Sequence, residues 1–125
     1  MEKGEVRFIG KVTEMDGNIS TILIYPDYCE GLYRLEKYMN IDILYWFHLR
    51  DDENHRGTLR VVPRRHGETA ERGVFASHSP SRPNPIGLTV VELVSVDGCT
   101  MTVKGLDAFV DSPVVDIKPH HMDQK

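Results

Sequence analysis

The stretch LTVVELVSVDGCTMTVKGL, Leu88 to Leu106, is the part of the sequence that decides the fold. It contains two runs rich in apolar and β-branched residues, 88–96 and 100–106, on either side of Asp97-Gly98. Asp-Gly between two such runs is typical of a tight β-hairpin turn. The stretch therefore predicts two apolar strands joined as a hairpin.

The rest of the chain also consists mainly of predicted strands separated by turn signals. A turn signal at 16–18 separates two strand-like runs, and a helical spacing of apolar residues predicts one short helix at 28–39. The other predicted strands are 6–12, 19–25, 41–49, 58–62 and 114–117. Long helices do not alternate with these strands, and no Gly-x-Gly-x-x-Gly motif occurs, so a dinucleotide-binding fold is not expected. We predict a mainly β fold, a small and mostly antiparallel barrel or sandwich.

Size and composition indicate one globular domain. The chain has 125 residues, of which 40% are hydrophobic and 27% charged. No apolar run approaches the roughly 18 residues that a membrane helix needs, and the N-terminus lacks the hydrophobic region of a signal peptide. Cys29 and Cys99 are far apart and lack metal or redox spacing. We therefore expect reduced thiols, no metal and a cytoplasmic protein.

Charge is distributed unevenly along the chain. The formal net charge of −4 argues against nucleic-acid binding when it is taken alone. Between Arg56 and Arg82, however, six arginines stand against two glutamates. This segment is either a solvated, arginine-rich loop or a local anion-binding surface, and composition leaves both interpretations open.

Two segments carry the residues best suited to ligand binding. In YWFHLR, Tyr45 to Arg50, strand alternation places Tyr45, Phe47 and Leu49 on one face and Trp46, His48 and Arg50 on the other. This arrangement fits either a core strand or a wall that holds a flat ring such as adenine. In SPSRPNPIGL, Ser79 to Leu88, the prolines predict a stiff loop that presents Arg82 and Asn84 with little loss of entropy. Turn formation alone is the alternative explanation for the second segment.

Three aspartates, Asp107, Asp111 and Asp116, lie within ten residues near the C-terminus. They are either turn caps or partners for hydroxyl and cationic groups of a ligand. Together with His48 or His78 they have no specific metal-binding spacing, so we predict no metal site. The sequence also offers no order of serine, cysteine and histidine that supports a nucleophilic triad.

Several blocks of sequence together resemble the TsaA-like family, known for TrmO-type tRNA methyltransferases. The blocks are RGVFASHSPSRPNPIGLTVVEL, VKGLDA, SPVVDIKP, LYWFHL and VVPRRHG, and the similarity runs from about Val6 to His120. The resemblance implies a small β-barrel that forms a homodimer and uses S-adenosylmethionine to methylate N6 of N6-threonylcarbamoyladenosine beside the anticodon of tRNA. Larger members carry a C-terminal domain without counterpart here, so we expect one TsaA-like domain over residues 1–125.

The resemblance also implies site residues. The positions matching the family's cofactor contacts are His48, Leu49, Leu88, Asp111, Ser112 and Pro113, and His78 stands where the family usually has a cofactor-contacting arginine. This chain also has Val110-Asp111-Ser112-Pro113 where the family reads Asp-Gly-Thr-Pro, and His120 where it has tyrosine.

Methyl transfer from a sulfonium is an in-line displacement that depends mainly on positioning. We therefore expect Asn84 and Arg82 to orient the acceptor, and Asp116 or Asp111 to accept the departing proton or a ribose hydroxyl. The expected tRNA contacts are Arg64, Arg65, Arg82 and Lys118. Two alternatives remain: a sensor that binds S-adenosylmethionine without transfer, and a methyltransferase acting on a different small acceptor.

Overall fold

A computed structural model describes residues 1–63, 67 and 69–120 of the chain. The chain divides into two compact units, which we call the barrel unit, Met1–Trp46 with Leu88–Lys125, and the second unit, Phe47–Gly87. The expected tRNA contacts Arg64 and Arg65 lie outside the described residues. The prediction of a single domain over residues 1–125 stays a prediction.

Six strands close into an antiparallel barrel in the order β1-β2-β7-β6-β3-β8. Their bounds are β1 Gly10–Asp16, β2 Ile19–Ile24, β3 Asn40–Trp46, β6 Ile86–Asp97, β7 Thr100–Lys104 and β8 Pro113–Pro119. Strands β6 and β7 pair as the predicted hairpin, and Gly98 in its turn has a φ of 62°, which glycine adopts without steric cost. The predicted mainly β, antiparallel barrel is confirmed.

Alternate residues of the barrel strands fill its interior. On β3 these are Ile41, Ile43 and Tyr45, and on β7 they are Met101 and Val103, all of them buried. Successive side chains of a strand point to opposite faces, so a period of two places one apolar set in the core. Each such aliphatic side chain contributes about 1.5–3 kcal/mol by leaving water, and this burial stabilises the barrel.

The predicted helix at 28–39 is wrong. The segment forms two 3₁₀ helices, Pro26–Leu32 and Leu35–Lys37, separated by Arg34 with a φ of 68°. Leu32 ends the first of these helices and Leu35 begins the second, and both side chains are buried. A left-handed residue between the two buried leucines prevents a continuous helix.

Several predicted strands have different bounds in the structure. β1 begins at Gly10 rather than Val6, and residues 6–8 are exposed outside the barrel ladder. β3 ends at Trp46, after which His48–Arg50 forms a 3₁₀ helix. The strand expected at 58–62 shortens to β4, Arg60–Val61.

The two cysteines form a Cys29–Cys99 disulfide, which overturns the expectation of reduced thiols. The first 3₁₀ helix brings Cys29 to the β6–β7 turn, where the two Cα atoms are 5.3 Å apart. A separation of 70 residues in sequence concealed this pairing. The cytoplasmic location stays a prediction, without the support that reduced thiols would have provided.

The second unit contains short elements only. Helix α1 spans Glu53–Arg56, and the two-residue strands β4 and β5, Arg72–Gly73, pair antiparallel. The Asp52 side chain accepts the backbone N–H of His55 at 2.8 Å and so caps α1. This bond, together with the bond to the His55 ring, lowers the pKa of Asp52 from its ordinary value of 3.8. A 3₁₀ helix, Val74–Ala76, leads into the proline-rich loop.

Within the described ranges, no helix combines the length and the apolar character needed to cross a membrane.

Candidate functional site

The loop that begins at Ser77 is built from a succession of serine turns. The Ser77 hydroxyl accepts the backbone N–H of Ser79 at 3.2 Å, and the Ser79 hydroxyl accepts that of Ser81 at 3.2 Å. The Ser77 hydroxyl itself donates to the Val74 carbonyl at 3.2 Å. Serine side chains that bond the backbone two residues ahead fix local turns, so this loop has a defined shape before any ligand binds.

Arg82 braces the same loop. Its Nη1 donates to the carbonyl of Ser77 at 3.0 Å and to that of Ser79 at 3.2 Å. Its Nε and Nη2 make no hydrogen bond to the described part of the chain. The sequence-based interpretation made Arg82 a clamp for an anion. The structure gives one nitrogen a bracing role, and the other two donors are available to a ligand.

Asn84 is held by Arg56, the first arginine of the arginine-rich stretch. Arg56 donates from Nη2 to Asn84 Oδ1 at 3.3 Å and from Nε to the Pro83 carbonyl at 2.8 Å. Its Nη1 forms a salt bridge with Oδ1 of Asp51 at 2.9 Å. This fork orients the exposed Asn84 so that its Nδ2 amide makes no hydrogen bond among the described residues. Sequence reasoning missed Arg56 because its partners lie as many as 28 residues away.

His48 and Leu49 begin the second unit near this loop. The Phe47 backbone N–H donates to the Pro85 carbonyl at 2.7 Å, which ties the 3₁₀ helix His48–Arg50 to the proline-rich segment. Leu49 is exposed and His48 is half-buried. His78 is exposed within the serine turns. The second unit therefore brings His48 and Leu49 into the same compact body as His78, Arg82 and Asn84.

In the barrel unit, Asp111 to Pro113 form a tight turn against β1. The Asp111 N–H donates to the Val12 carbonyl at 2.7 Å, and Val12 N–H donates to the Ser112 carbonyl at 3.0 Å. Asp111 has a φ of 74°, and its carboxylate is exposed. Ser112 is buried, and its hydroxyl accepts the Phe109 N–H at 3.0 Å. Ser112 is therefore a structural part of the turn, whereas Asp111 faces solvent.

Asp116 and Lys118 are exposed on β8. Asp116 accepts the N–H of Ile117 at 2.9 Å and lines a cleft of about 700 Å³ whose walls include Tyr28 and Tyr38. Lys118 lies opposite Asp42 on β3, and Asp42 also contacts His120 Nδ1 at 2.8 Å. Within the described residues, no group of three histidine, cysteine or acidic side chains is arranged to hold a metal.

Of the two interpretations of the aromatic strand, the structure favours the core strand for Tyr45 and Trp46. Tyr45 is buried rather than lining a surface, and its hydroxyl donates to the Asp107 carbonyl and lies 3.0 Å from the Thr89 hydroxyl. The hydrogen bond from Tyr45 to its backbone carbonyl therefore fixes the position of Asp107. Trp46 packs against Phe8 with ring centroids 5.7 Å apart. The aromatic residues at this end of β3 serve packing in the barrel unit.

Comparison with known proteins agrees with this architecture. An S-adenosyl-L-methionine-binding protein of Archaeoglobus fulgidus is 49% identical over 102 residues, which are 82% of this chain and 69% of that protein. The tRNA (adenine(37)-N6)-methyltransferase of Rattus norvegicus is 39% identical over 93 residues, 74% of this chain and 21% of that protein.

The crystal structure of TrmO from P. aeruginosa superposes with a TM-score of 0.71 at 26% identity. The match covers 96% of this chain and 55% of the TrmO chain, so this chain spans about half of that protein's length. The model of the tRNA-methyltransferase O N-terminal domain matches residues 11–124. The chain therefore belongs to the tRNA-methyltransferase O N-terminal domain family.

Proposed function

We propose that this protein is an S-adenosylmethionine-dependent methyltransferase that modifies N6 of N6-threonylcarbamoyladenosine in tRNA. The observation that carries the proposal is the family match over 11–124, within which the Arg82–Leu88 block is complete and Arg82 and Asn84 are braced. Relatives named for S-adenosyl-L-methionine binding and for tRNA (adenine(37)-N6) methylation support the cofactor and the substrate class.

The candidate cofactor residues have side chains of the right chemical types. S-adenosylmethionine supplies an electrophilic methyl group next to a flat base, a ribose and a zwitterionic end. In the barrel unit, exposed Leu88 offers an apolar surface, and the exposed Asp111 carboxylate offers an acceptor for hydroxyl or ammonium groups. In the second unit, exposed Leu49, half-buried His48 and exposed His78 offer comparable contacts. Ser112 and Pro113 hold the backbone turn beside Asp111.

The proposed roles of the remaining residues follow from their hydrogen bonds. Asn84 presents its Nδ2 amide, and Arg82 presents Nε and Nη2, from a loop that its own bonds keep rigid. Such donors can hold a carboxylate or phosphate of the acceptor in one orientation, and correct orientation of the reactants lowers the barrier to a direct displacement. We assign Asp116 as the acceptor of the departing proton. We assign Arg64, Arg65 and Lys118 to tRNA contacts.

We also propose that the protein acts as a homodimer. Leu88, Val90 and Val94 are exposed on β6, and they form an outer strip of the barrel unit that is apolar except for the exposed Glu92 between Val90 and Val94. An apolar outer strip favours association, and a twofold dimer is the commonest arrangement of soluble homo-oligomers. Light scattering that gives the monomer mass across micromolar concentrations would contradict this proposal.

A sensor that binds S-adenosylmethionine without methyl transfer is the second candidate function. The relatives that are 49% and 47% identical, from Archaeoglobus fulgidus and Methanothermobacter thermautotrophicus, are named only for binding. A methyltransferase acting on another small acceptor is a third candidate.

The deciding experiment measures binding and transfer on the same preparation. Calorimetry gives the affinity for S-adenosylmethionine, and tritiated-methyl transfer to threonylcarbamoylated tRNA, followed by nucleoside mass spectrometry, gives the product. Methylated threonylcarbamoyladenosine in the wild-type reaction supports our proposal. Cofactor binding without transfer supports the sensor, and the absence of cofactor binding contradicts both. Transfer to small acceptors in a tRNA-free extract supports the third candidate.

A further inference from the structure

Charge differs sharply between the two units. Residues 47–87 contain seven arginines, no lysine and five carboxylates, a formal charge of +2, whereas the rest of the chain carries −6. The phosphates of RNA attract arginines and are repelled by carboxylates, with most of the effect acting within about 10 Å in salt. A polyanion is therefore expected to bind through the second unit.

Phe75 is the most exposed aromatic side chain among the described residues. It is 80% exposed in the 3₁₀ helix Val74–Ala76, although the backbone on both sides of it is fixed. Val74 is buried, and its N–H donates to the Leu59 carbonyl at 2.9 Å. The Ser77 N–H and hydroxyl both donate to the Val74 carbonyl at 3.2 Å. The chain thus holds a bare phenyl ring on a rigid turn.

Two guanidinium-bearing side chains lie beside this turn. Arg72 Nη1 donates to the Ala76 carbonyl at 3.3 Å, which places that guanidinium at the end of the Phe75 helix. Arg60 pairs with Gly73 across β4 and β5, directly before the helix, and its side chain is 71% exposed while contacting Glu71 at 2.8 Å. An exposed aromatic ring on a segment that also carries arginines is the composition with which proteins bind single-stranded RNA.

We infer that Phe75 stacks on an unpaired base of the tRNA anticodon loop, with Arg60 and Arg72 against the flanking phosphates. The inference rests on the proposed function, since it takes tRNA as the substrate. Unstacked loop bases bind proteins by stacking on flat aromatic side chains. A ring that is already held in place loses little conformational entropy when a base stacks on it. Phe75 is thereby a residue that positions the loop rather than one that takes part in the transfer.

The test uses an RNA hairpin with the sequence of an anticodon stem-loop and 2-aminopurine in the loop. Stacking on one base is worth about 1–3 kcal/mol, so Phe75→Ala is expected to weaken binding by about 5- to 150-fold. Phe75→Tyr keeps a flat ring and is expected to bind as wild type does. Phe75→Leu keeps apolar volume without a ring and is expected to resemble Phe75→Ala. Wild-type protein and Phe75→Tyr should also change the 2-aminopurine fluorescence, and the other two variants should not.

Tyr33→Ala is the matched control, because Tyr33 is 77% exposed but lies in the acidic barrel unit. It is expected to leave RNA affinity unchanged. Arg60→Ala should reduce the slope of log affinity against log salt by about 0.7, the value for one phosphate of a single strand. Calorimetric affinity for S-adenosylmethionine is expected to be the same in Phe75→Ala and wild type.

Each contrary result has a definite meaning. Equal RNA affinity of Phe75→Ala and wild type overturns the inference and leaves the proposed function standing. Loss of cofactor binding in Phe75→Ala overturns it as well, because the ring would then belong to the cofactor site. If wild-type protein binds neither the hairpin nor tRNA and transfers no methyl group, the proposed function fails and the inference with it.

Discussion

Breaking the Cys29–Cys99 disulfide should cost the barrel unit a large share of its stability. The bond joins the first 3₁₀ helix to the β6–β7 turn across a sequence separation of 70 residues. In the chain-entropy model, a cross-link over a loop of this length removes about 15 cal/mol/K from the unfolded ensemble, or about 4.4 kcal/mol at 25 °C. Domains of this size are stable by about 6–19 kcal/mol, so the loss is at least about a quarter of the total.

The measurement is urea unfolding of oxidised wild-type protein, reduced wild-type protein and the double variant Cys29→Ser/Cys99→Ser. With a slope of about 2 kcal/mol/M, the unfolding midpoint should fall by about 2 M on reduction. The double variant should unfold near the reduced wild type, because both cysteines are only half-buried and serine fits each position.

Two controls keep this reasoning open to refutation. Reductant must leave the urea midpoint of the double variant unchanged, which shows that reduction acts on the Cys29–Cys99 bond and on nothing else. Far-UV circular dichroism before denaturation must be the same in all three samples. If reduced and oxidised wild-type protein unfold at the same urea concentration, the cross-link does not constrain the unfolded chain and the argument fails.

Three further predictions concern the site, the barrel and pH. Arg82→Ala removes the brace on the Ser77 and Ser79 carbonyls, and we expect the proposed methyl transfer to tRNA to fall on the order of a hundredfold while tRNA affinity falls far less. Equal losses in both assays would contradict the proposed positioning role. Gly10→Ala should destabilise the barrel by more than about 1 kcal/mol in urea unfolding, because a Cβ there would lie 2.2 Å from the Leu23 carbonyl oxygen. An unchanged unfolding midpoint would contradict this prediction and show that β1 can shift to accommodate the added methyl group. Folding lowers the pKa of Asp52, so its contribution to the free energy of unfolding is present above the unfolded value near 3.8 and is lost as pH falls through the folded value. The unfolding midpoints of Asp52→Asn should therefore decline less in acid than those of wild type. Parallel declines would contradict this prediction.

The barrel could be predicted because its strands carry the information locally. The Asp-Gly turn and the two apolar runs around it specify a hairpin without reference to the rest of the chain. The segment 28–39 could not be predicted in the same way. Its apolar spacing fits a helix, and the left-handed Arg34 that divides it follows from packing of Leu32 and Leu35 in the barrel unit. Tertiary contacts overrode a local preference there.

The stiffness of the proline-rich loop was readable from sequence, but its supports were not. Proline restricts the backbone φ angle wherever it occurs, so the stiffness follows from the sequence alone. The hydrogen bonds from Arg56 to Pro83 and Asn84 join residues 27 and 28 positions apart, and only the folded second unit brings them together. The Cys29–Cys99 pair was concealed for the same reason, since spacing in sequence carries no information on distance in space.

These long-range supports explain how a short loop can present donors at fixed positions. An unsupported arginine loses about 2 kcal/mol of rotamer freedom when it is immobilised by a ligand. Arg82 has already spent much of that freedom on two carbonyls of its own loop, and Arg56 has oriented Asn84. Binding of an anion to the remaining Arg82 nitrogens therefore retains more of its favourable free energy. Phe75 likewise stands on a turn that Val74 and Ser77 fix, so the proposed stacking of an RNA base on its ring would also cost little conformational entropy.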